Sequence, residues 1–239
     1  EVRGTVQVEG TGAMRIQLSS VPGAPHGPDP ASGGLPDGPP KWAGIKIIDS
    51  MDPSNRIAHV DIRNAQDGEG SIGILRSQCV IDDVTFSGTH IRMIYTDDAS
   101  VIIENSIFPD MFAPNEQAAA LGLDNISEHI KGDGTIPDGG RYIIRNNRFG
   151  TNKGHNDVVD VVSGRRPGPI VQIIGNYFEG TRDEELDLGG DVYIARNVFT
   201  NVVKDNETSD RGYANAISTG DAGSDTTVVV ARNIFWDVD

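Results

Sequence analysis

The sequence predicts an all-β protein built as a parallel solenoid, a β-helix of roughly seven or eight coils, and three observations carry that reading. An eight-residue string recurs as VIIENSIF (101–108), YIIRNNRF (142–149), VQIIGNYF (171–178), VYIARNVF (192–199) and VVVARNIF (228–235), with a weaker copy, CVIDDVTF, at 79–86. Its closing aromatics, Phe86, Phe108, Phe149, Phe178, Phe199 and Phe235, are separated by 22, 41, 29, 21 and 36 residues, a fixed minimum with variable excess. A second short apolar segment precedes each copy. Gaps this short leave no room for the crossover helix that a helix-covered parallel sheet needs. Strands that each pair with their equivalent one turn away, about 4.8 Å apart, satisfy all three observations.

The elements follow in chain order. VRGTVQVEGTGAMRIQL (2–18) reads as an opening coil. Residues 19–40 (SSVPGAPHGPDPASGGLPDGPP) are too rich in Pro and Gly to pair as strand and are expected as a surface insertion. GIKII (44–48), SIGIL (71–75), IRMIY (91–95), EHIKG (128–132), VVDVV (158–162), ELDLG (185–189) and NAIST (215–219) are the preceding strands. Residues 109–126 form a second insertion, in which NEQAAALGL is expected as a short helix; 202–213 and 220–226 are further loops. Alternation points Val159 and Val161 inward beneath Leu186 and Leu188, and the phenylalanines stack as one column. Asn147, Asn176, Asn197 and Asn233 are expected as an internal ladder, each amide bonding turn backbone and the amides above and below. The whole of 1–239 is expected as one domain. Neither end has an obvious cap, and the chain stops at Asp239 just after a core strand, which predicts a fragment of a longer chain.

Composition narrows the function. The 239 residues carry a formal net charge of −15, and the Lys/Arg clusters that phosphate neutralisation requires are missing, which argues against nucleic acid. No apolar run approaches the ~18–20 residues of a membrane span. Such an acidic surface suits an extracellular or cell-surface setting and divalent cations. Cys79 is the single cysteine, so an internal disulfide and a cysteine-based zinc site are excluded; its apolar context reads as a small buried hydrophobe.

Setting the preceding strands in register yields a candidate site. Lys131, Asp160, Asp187 and Ser218 fall in one outward column, with Glu128, Asp157, Glu184 and Asn215 at the corner before it and Asn156 and Asp183 one position earlier. Five acids thus share two adjacent rungs, and two carboxylates about 5 Å apart repel by roughly 1 kcal/mol in water. Two arrangements relieve this. Calcium, which takes six to eight oxygen ligands, is one, with Glu128, Asp157, Asp160, Asp183, Glu184 and Asp187 as candidate ligands. A solvated ion-pair ladder using Lys131, Arg165, Arg166 and Arg182 is the other. His129 and His155 come near the ladder on successive coils, and Tyr95, Tyr213 and Trp42 are candidate sugar platforms.

From Lys41 onward, and most closely over ISEHIKG, IIRNNRFG, GHNDVVDVVSG, IIGNYFEG and DEELDLGGD, the chain resembles right-handed parallel β-helix proteins of the pectate-lyase-like superfamily. In particular it resembles β-helix modules of large secreted bacterial multidomain proteins. The resemblance implies the right hand of the helix and a polysaccharide as partner. It also implies, for the enzymes of the superfamily, calcium or arginine neutralising a uronate while a lysine or arginine removes the C5 proton. On that pattern Lys131, Asp160 and Asp187 are the catalytic candidates, and Tyr95, His129, His155 and Arg166 the substrate-binding ones. Two departures stand against it. Carboxylates beside Lys131 raise its pKa, the wrong direction for a base, and the adjacent Asp-Asp of polygalacturonase-like hydrolases is replaced by Asp183-Glu184. Two expectations follow: a non-catalytic module that binds glycan or assembles with a neighbouring β-helix chain, with bound calcium; or a calcium-assisted lyase or hydrolase of acidic polysaccharide.

Overall fold

A computed structural model describes residues 4–20, 42–65, 69–89, 92–111, 128–152, 156–162, 164–203, 214–219 and 226–238. The described residues are all-β, and every pair between strands is parallel. The strands collect into two sheets. One has six, running in sequence order from Ile45–Ile48 through Ile72–Leu75, Ile94–Asp97, Ile130–Asp133 and Val159–Val162 to Leu186–Gly189. The other has fourteen and holds all the Asn/Phe-tagged segments, with successive tagged segments paired in register. Such pairing is compatible with a β-helix-like fold.

Local chemistry explains why each tagged segment bends where it does. Asn105, Asn146, Gly175, Arg196 and Arg232 have φ between 54° and 68°, left-handed backbone that turns the strand, and each is followed by a residue whose side chain faces inward. At Gly175 a Cβ would meet Asn146 Oδ1 at 2.8 Å, so a larger residue there would displace the end of that side chain. Beyond the bend the ladder runs as expected. Asn147, Asn176 and Asn197 each donate backbone N–H and side-chain Nδ2 to the next amide oxygen at 2.8–3.0 Å, ending on Asn233 Oδ1. Ser106 stands in for Asn on the rung before, donating its N–H to Asn147 Oδ1.

The core lies between the sheets. Phe86, Phe108, Phe149, Phe178, Phe199 and Phe235 stack with centroids 4.5–5.1 Å apart. Val159 and Val161 pair in register with Leu186 and Leu188, all fully buried. Phe149 has a ring on each side, so Phe149→Ala opens the middle of the column. Its expected cost is about 3–5 kcal/mol, read as a lower denaturant midpoint; a loss under 1 kcal/mol would mean the column collapses onto the gap.

Three details differ from the sequence reading. The strand expected at 91–95 begins at Ile94 and runs to Asp97, because Met93 and Ile94 are both buried at the corner and alternation starts only after them. The segment 79–86 extends to Gln78–Ser87 as one strand, whereas 142–149 splits into Tyr142–Arg145 and Arg148–Phe149 around its Asn turn. NAIST is no regular strand; it makes two single bridges, Glu184 to Asn215 and Asp187 to Ser218. The helix expected in 109–126 and most of the 19–40 insertion lie outside the described residues.

Candidate functional site

The outward side of the six-stranded sheet carries the acids. Register places Tyr95, Lys131, Asp160, Asp187 and Ser218 in one column, as the strand alignment expected for the last four. At the corner before it, the Val158 N–H donates to Glu184 O and the Glu185 N–H to Asn215 O, which lines up Asp157, Glu184 and Asn215.

Five of the six candidate ligands converge. Carboxylate oxygens of Asp157, Asp183 and Glu184 lie within 4.8 Å of one another, and those of Asp157, Asp160 and Asp187 do likewise, so Asp157 joins the two groups. Asp157 and Asp160 are buried; Asp183, Glu184 and Asp187 are half-buried. Burial pushes the Asp157 carboxyl up, and the adjoining Glu184, Asp183 and Asp160 push it further, so a cationic partner would relieve it. Burial also raises Asp160, against the opposing pull of Lys131. Asp160 Oδ2 accepts from the Lys131 ammonium, while its Oδ1 is buried without a hydrogen-bond partner. Asn215 donates to Glu184 Oε1 at 3.2 Å. Glu128 stands apart from both groups: it is held by Arg92 at 3.2 Å.

Lys131 is clamped. Burial alone would lower its pKa, but the hydrogen bond and charge of Asp160, with Glu128 and Asp133, outweigh it and raise the value. Tyr95 donates its hydroxyl to Asp133 Oδ2 at 3.0 Å and has the Arg92 guanidinium 5.3 Å over its ring, so one face is covered. Burial and Asp133 push this phenol up to about 12.

The other substrate-binding candidates separate from the cluster. His129 is fully buried, edge-on to Phe108 and Phe149 at 6.1 and 5.9 Å, with Nε2 donating to Pro109 O at 2.8 Å. Burial lowers it to about 4 and keeps it neutral. Its corner position faces inward, which corrects the expectation that it reaches substrate. Arg166 sits in the turn beyond the strand and faces Asp191 at 3.7 Å, away from the acids. His155 lies outside the described residues. An open hollow of about 530 Å³ between the turns 138–140 and 167–169 includes none of the clustered acids.

One buried acid escaped the sequence reading. Glu185 is fully buried and neither carboxyl oxygen has a hydrogen-bond partner. The signal was present: equivalent corners carry the inward doublets Met93-Ile94 and Val158-Val159, which mark position 185 as inward although plain alternation turns it out.

Compared with models of protein families, with curated proteins and with solved structures, the chain matches none.

Proposed function

We propose that this chain is an extracellular module with the right-handed parallel β-helix fold of the pectate-lyase-like superfamily, of roughly seven or eight coils. In this reading it binds glycan or builds an assembly without catalysing a reaction, and holds calcium. The supporting observation is that Asp157 gathers Asp183 and Glu184 on one side and Asp160 and Asp187 on the other, with Asp160 Oδ1 buried without a hydrogen-bond partner. Hard oxygen donors on stiff neighbouring strands suit a cation that tolerates irregular geometry and high coordination number, which favours Ca²⁺ over Mg²⁺.

Calcium is expected to raise the melting temperature and a chelator to lower it. At a hundredfold excess over Kd the gain is about 2.7 kcal/mol. Asp157→Asn combined with Asp187→Asn should abolish the shift, and a melting temperature indifferent to calcium in the parent chain rejects the site.

The lyase alternative asks Lys131 to act as base, yet Asp160 holds it as a raised, ion-paired ammonium. The oxygens of Asp157, Asp160 and Asp187 also approach closer than the ~6.5–9.5 Å that an inverting hydrolase leaves for water. Unsaturated-product absorbance or reducing-end release on acidic glycans, lost in Lys131→Ala, would replace the module reading with the enzymatic one.

A further inference from the structure

Four Asp-Gly pairs occur in the chain, at 37–38, 67–68, 133–134 and 138–139. In such a pair the glycine nitrogen can reach the aspartate side-chain carbon, because glycine has no Cβ to block the approach. The first two pairs lie outside the described residues, and the fold treats the other two differently. Asp133-Gly134 is locked. Asp133 closes the strand Ile130–Asp133 in register with Asp97, and its carbonyl accepts the Asp98 N–H at 3.4 Å. Its carboxylate accepts the Tyr95 hydroxyl at 3.0 Å and lies 3.9 Å from the Lys131 ammonium. Gly134 is hemmed in: an added Cβ would stand 2.6 Å from Oδ1 of both Asp97 and Asp98. Bringing the Gly134 nitrogen onto the Asp133 carboxyl therefore means breaking the strand end and displacing those neighbours.

Asp138-Gly139 is open. The segment that leaves the same strand is tied at both ends. Thr135 donates its N–H and hydroxyl to Asp98 Oδ1 at 2.8 and 3.0 Å, and the Arg141 N–H donates to Ser100 Oγ at 3.1 Å. Between the ties Ile136 is buried, and 137–140 make a turn closed by the Gly140 N–H on Pro137 O at 2.8 Å. Asp138 and Gly139 are its exposed apex, and neither makes a hydrogen bond or ion pair with a described residue. Gly139 has φ 72°, and an added Cβ there would meet nothing within 4 Å. The apex stands at the rim of the hollow whose other wall is 167–169.

We propose that Asp138-Gly139 is a site of covalent self-modification, at which the main chain reroutes through the Asp138 side chain. The Gly139 nitrogen attacks Cγ of the Asp138 carboxyl group. An N–Cγ bond forms, a Cγ–O bond breaks, and the amide proton leaves with the hydroxyl as water, closing a five-membered cyclic imide. Water then adds at either imide carbonyl. One direction restores aspartate; the other gives isoaspartate, whose main chain runs through Cβ and Cγ and whose α-carboxylate becomes the side group. Water is the only other reactant, and nothing is oxidised or reduced. The ties at Thr135 and Arg141 confine the added main-chain atom to the apex, so the strand pairing on either side is kept. The inference is independent of the module reading above.

The test is prolonged warm incubation of the whole chain, native and in urea, followed by trypsin digestion. Cleavage after Lys131 and Arg141 releases one peptide, 132–141, that holds both pairs, and electron-transfer fragmentation locates isoaspartate within it. In the native chain the expected result is an isomer of equal mass at Asp138, preceded by a form lighter by one water, with Asp133 changing at least tenfold more slowly. In urea the two rates should converge, since only the fold separates them. Asp138→Glu, whose longer side chain disfavours the cyclisation, should remove the isomer and leave the melting temperature where it was. Isomerisation at Asp133 as fast as at Asp138 in the native chain overturns the proposal. So does an Asp138 that changes in urea but not in the native chain, or in neither.

Discussion

Asn176→Ala is expected to destabilise the chain by about 3–5 kcal/mol, a large share of the ~5–15 kcal/mol that holds a typical domain together. Asn176 is 1% exposed. Its Oδ1 accepts from the backbone N–H and the Nδ2 of Asn147 at 2.9 and 3.0 Å, and its Nδ2 donates to Ile144 O and Asn197 Oδ1, both at 3.0 Å. Alanine strands two donors and a carbonyl in a dry interior, and a buried unsatisfied group costs about 1–3 kcal/mol. The loss should appear as a lower urea midpoint at unchanged slope. Asn176→Asp, which keeps the acceptor and removes the donors, should fall between parent and alanine. If alanine costs less than 1 kcal/mol, the ladder accompanies the bend without holding it.

Glu185→Met should do the opposite and raise stability by about 1–3 kcal/mol at pH 7. Burial pushes the Glu185 carboxyl up to about 9 from its ordinary 4.5; the Thr200 backbone pulls the other way but is too poorly placed for a full hydrogen bond. The sign follows from linkage. Below about pH 4.5 the carboxyl is protonated in both states and stability does not depend on it. Above that the unfolded chain ionises Glu185 while the folded chain cannot, so stability drains away until about pH 9. At pH 7 that loss is about 3 kcal/mol as an upper figure. Methionine, similar in length and without charge, removes it. The gain should therefore be small near pH 4 and grow toward pH 8. A gain that does not change with pH would assign the effect to packing instead.

These two residues also mark how far the sequence could be read. Asn176 was legible because it recurs at the same place before a phenylalanine, and a buried amide at a repeated bend has few uses other than a ladder. Glu185 was not, because a carboxyl beside Asp183 and Glu184 reads as one more surface acid until the corner is seen to turn it inward. His129 fails for the same reason: spacing set it beside the acids, but the corner gives two consecutive inward positions, and the first of them is His129. Alternation holds along a strand and breaks where the strand begins.

The acidic column came out of register alone, since pairing one rung apart fixes which residues neighbour each other: Lys131, Asp160 and Asp187 had to align once the strands did. Register does not decide which oxygens meet. That Glu128 turns to Arg92, that Asp160 turns Oδ2 to Lys131 and leaves Oδ1 without a hydrogen-bond partner, and that Arg166 swings to Asp191 follow from rotamers and corner geometry. The amino-acid sequence by itself determined an all-β chain of parallel strands, its stacked phenylalanines and its asparagine ladder, because repetition at a fixed minimum spacing leaves one economical way to pair backbone and bury side chains. Only the tertiary structure decided which acids converge and which one is buried alone, because these depend on the directions side chains take at bends, where periodicity carries no information.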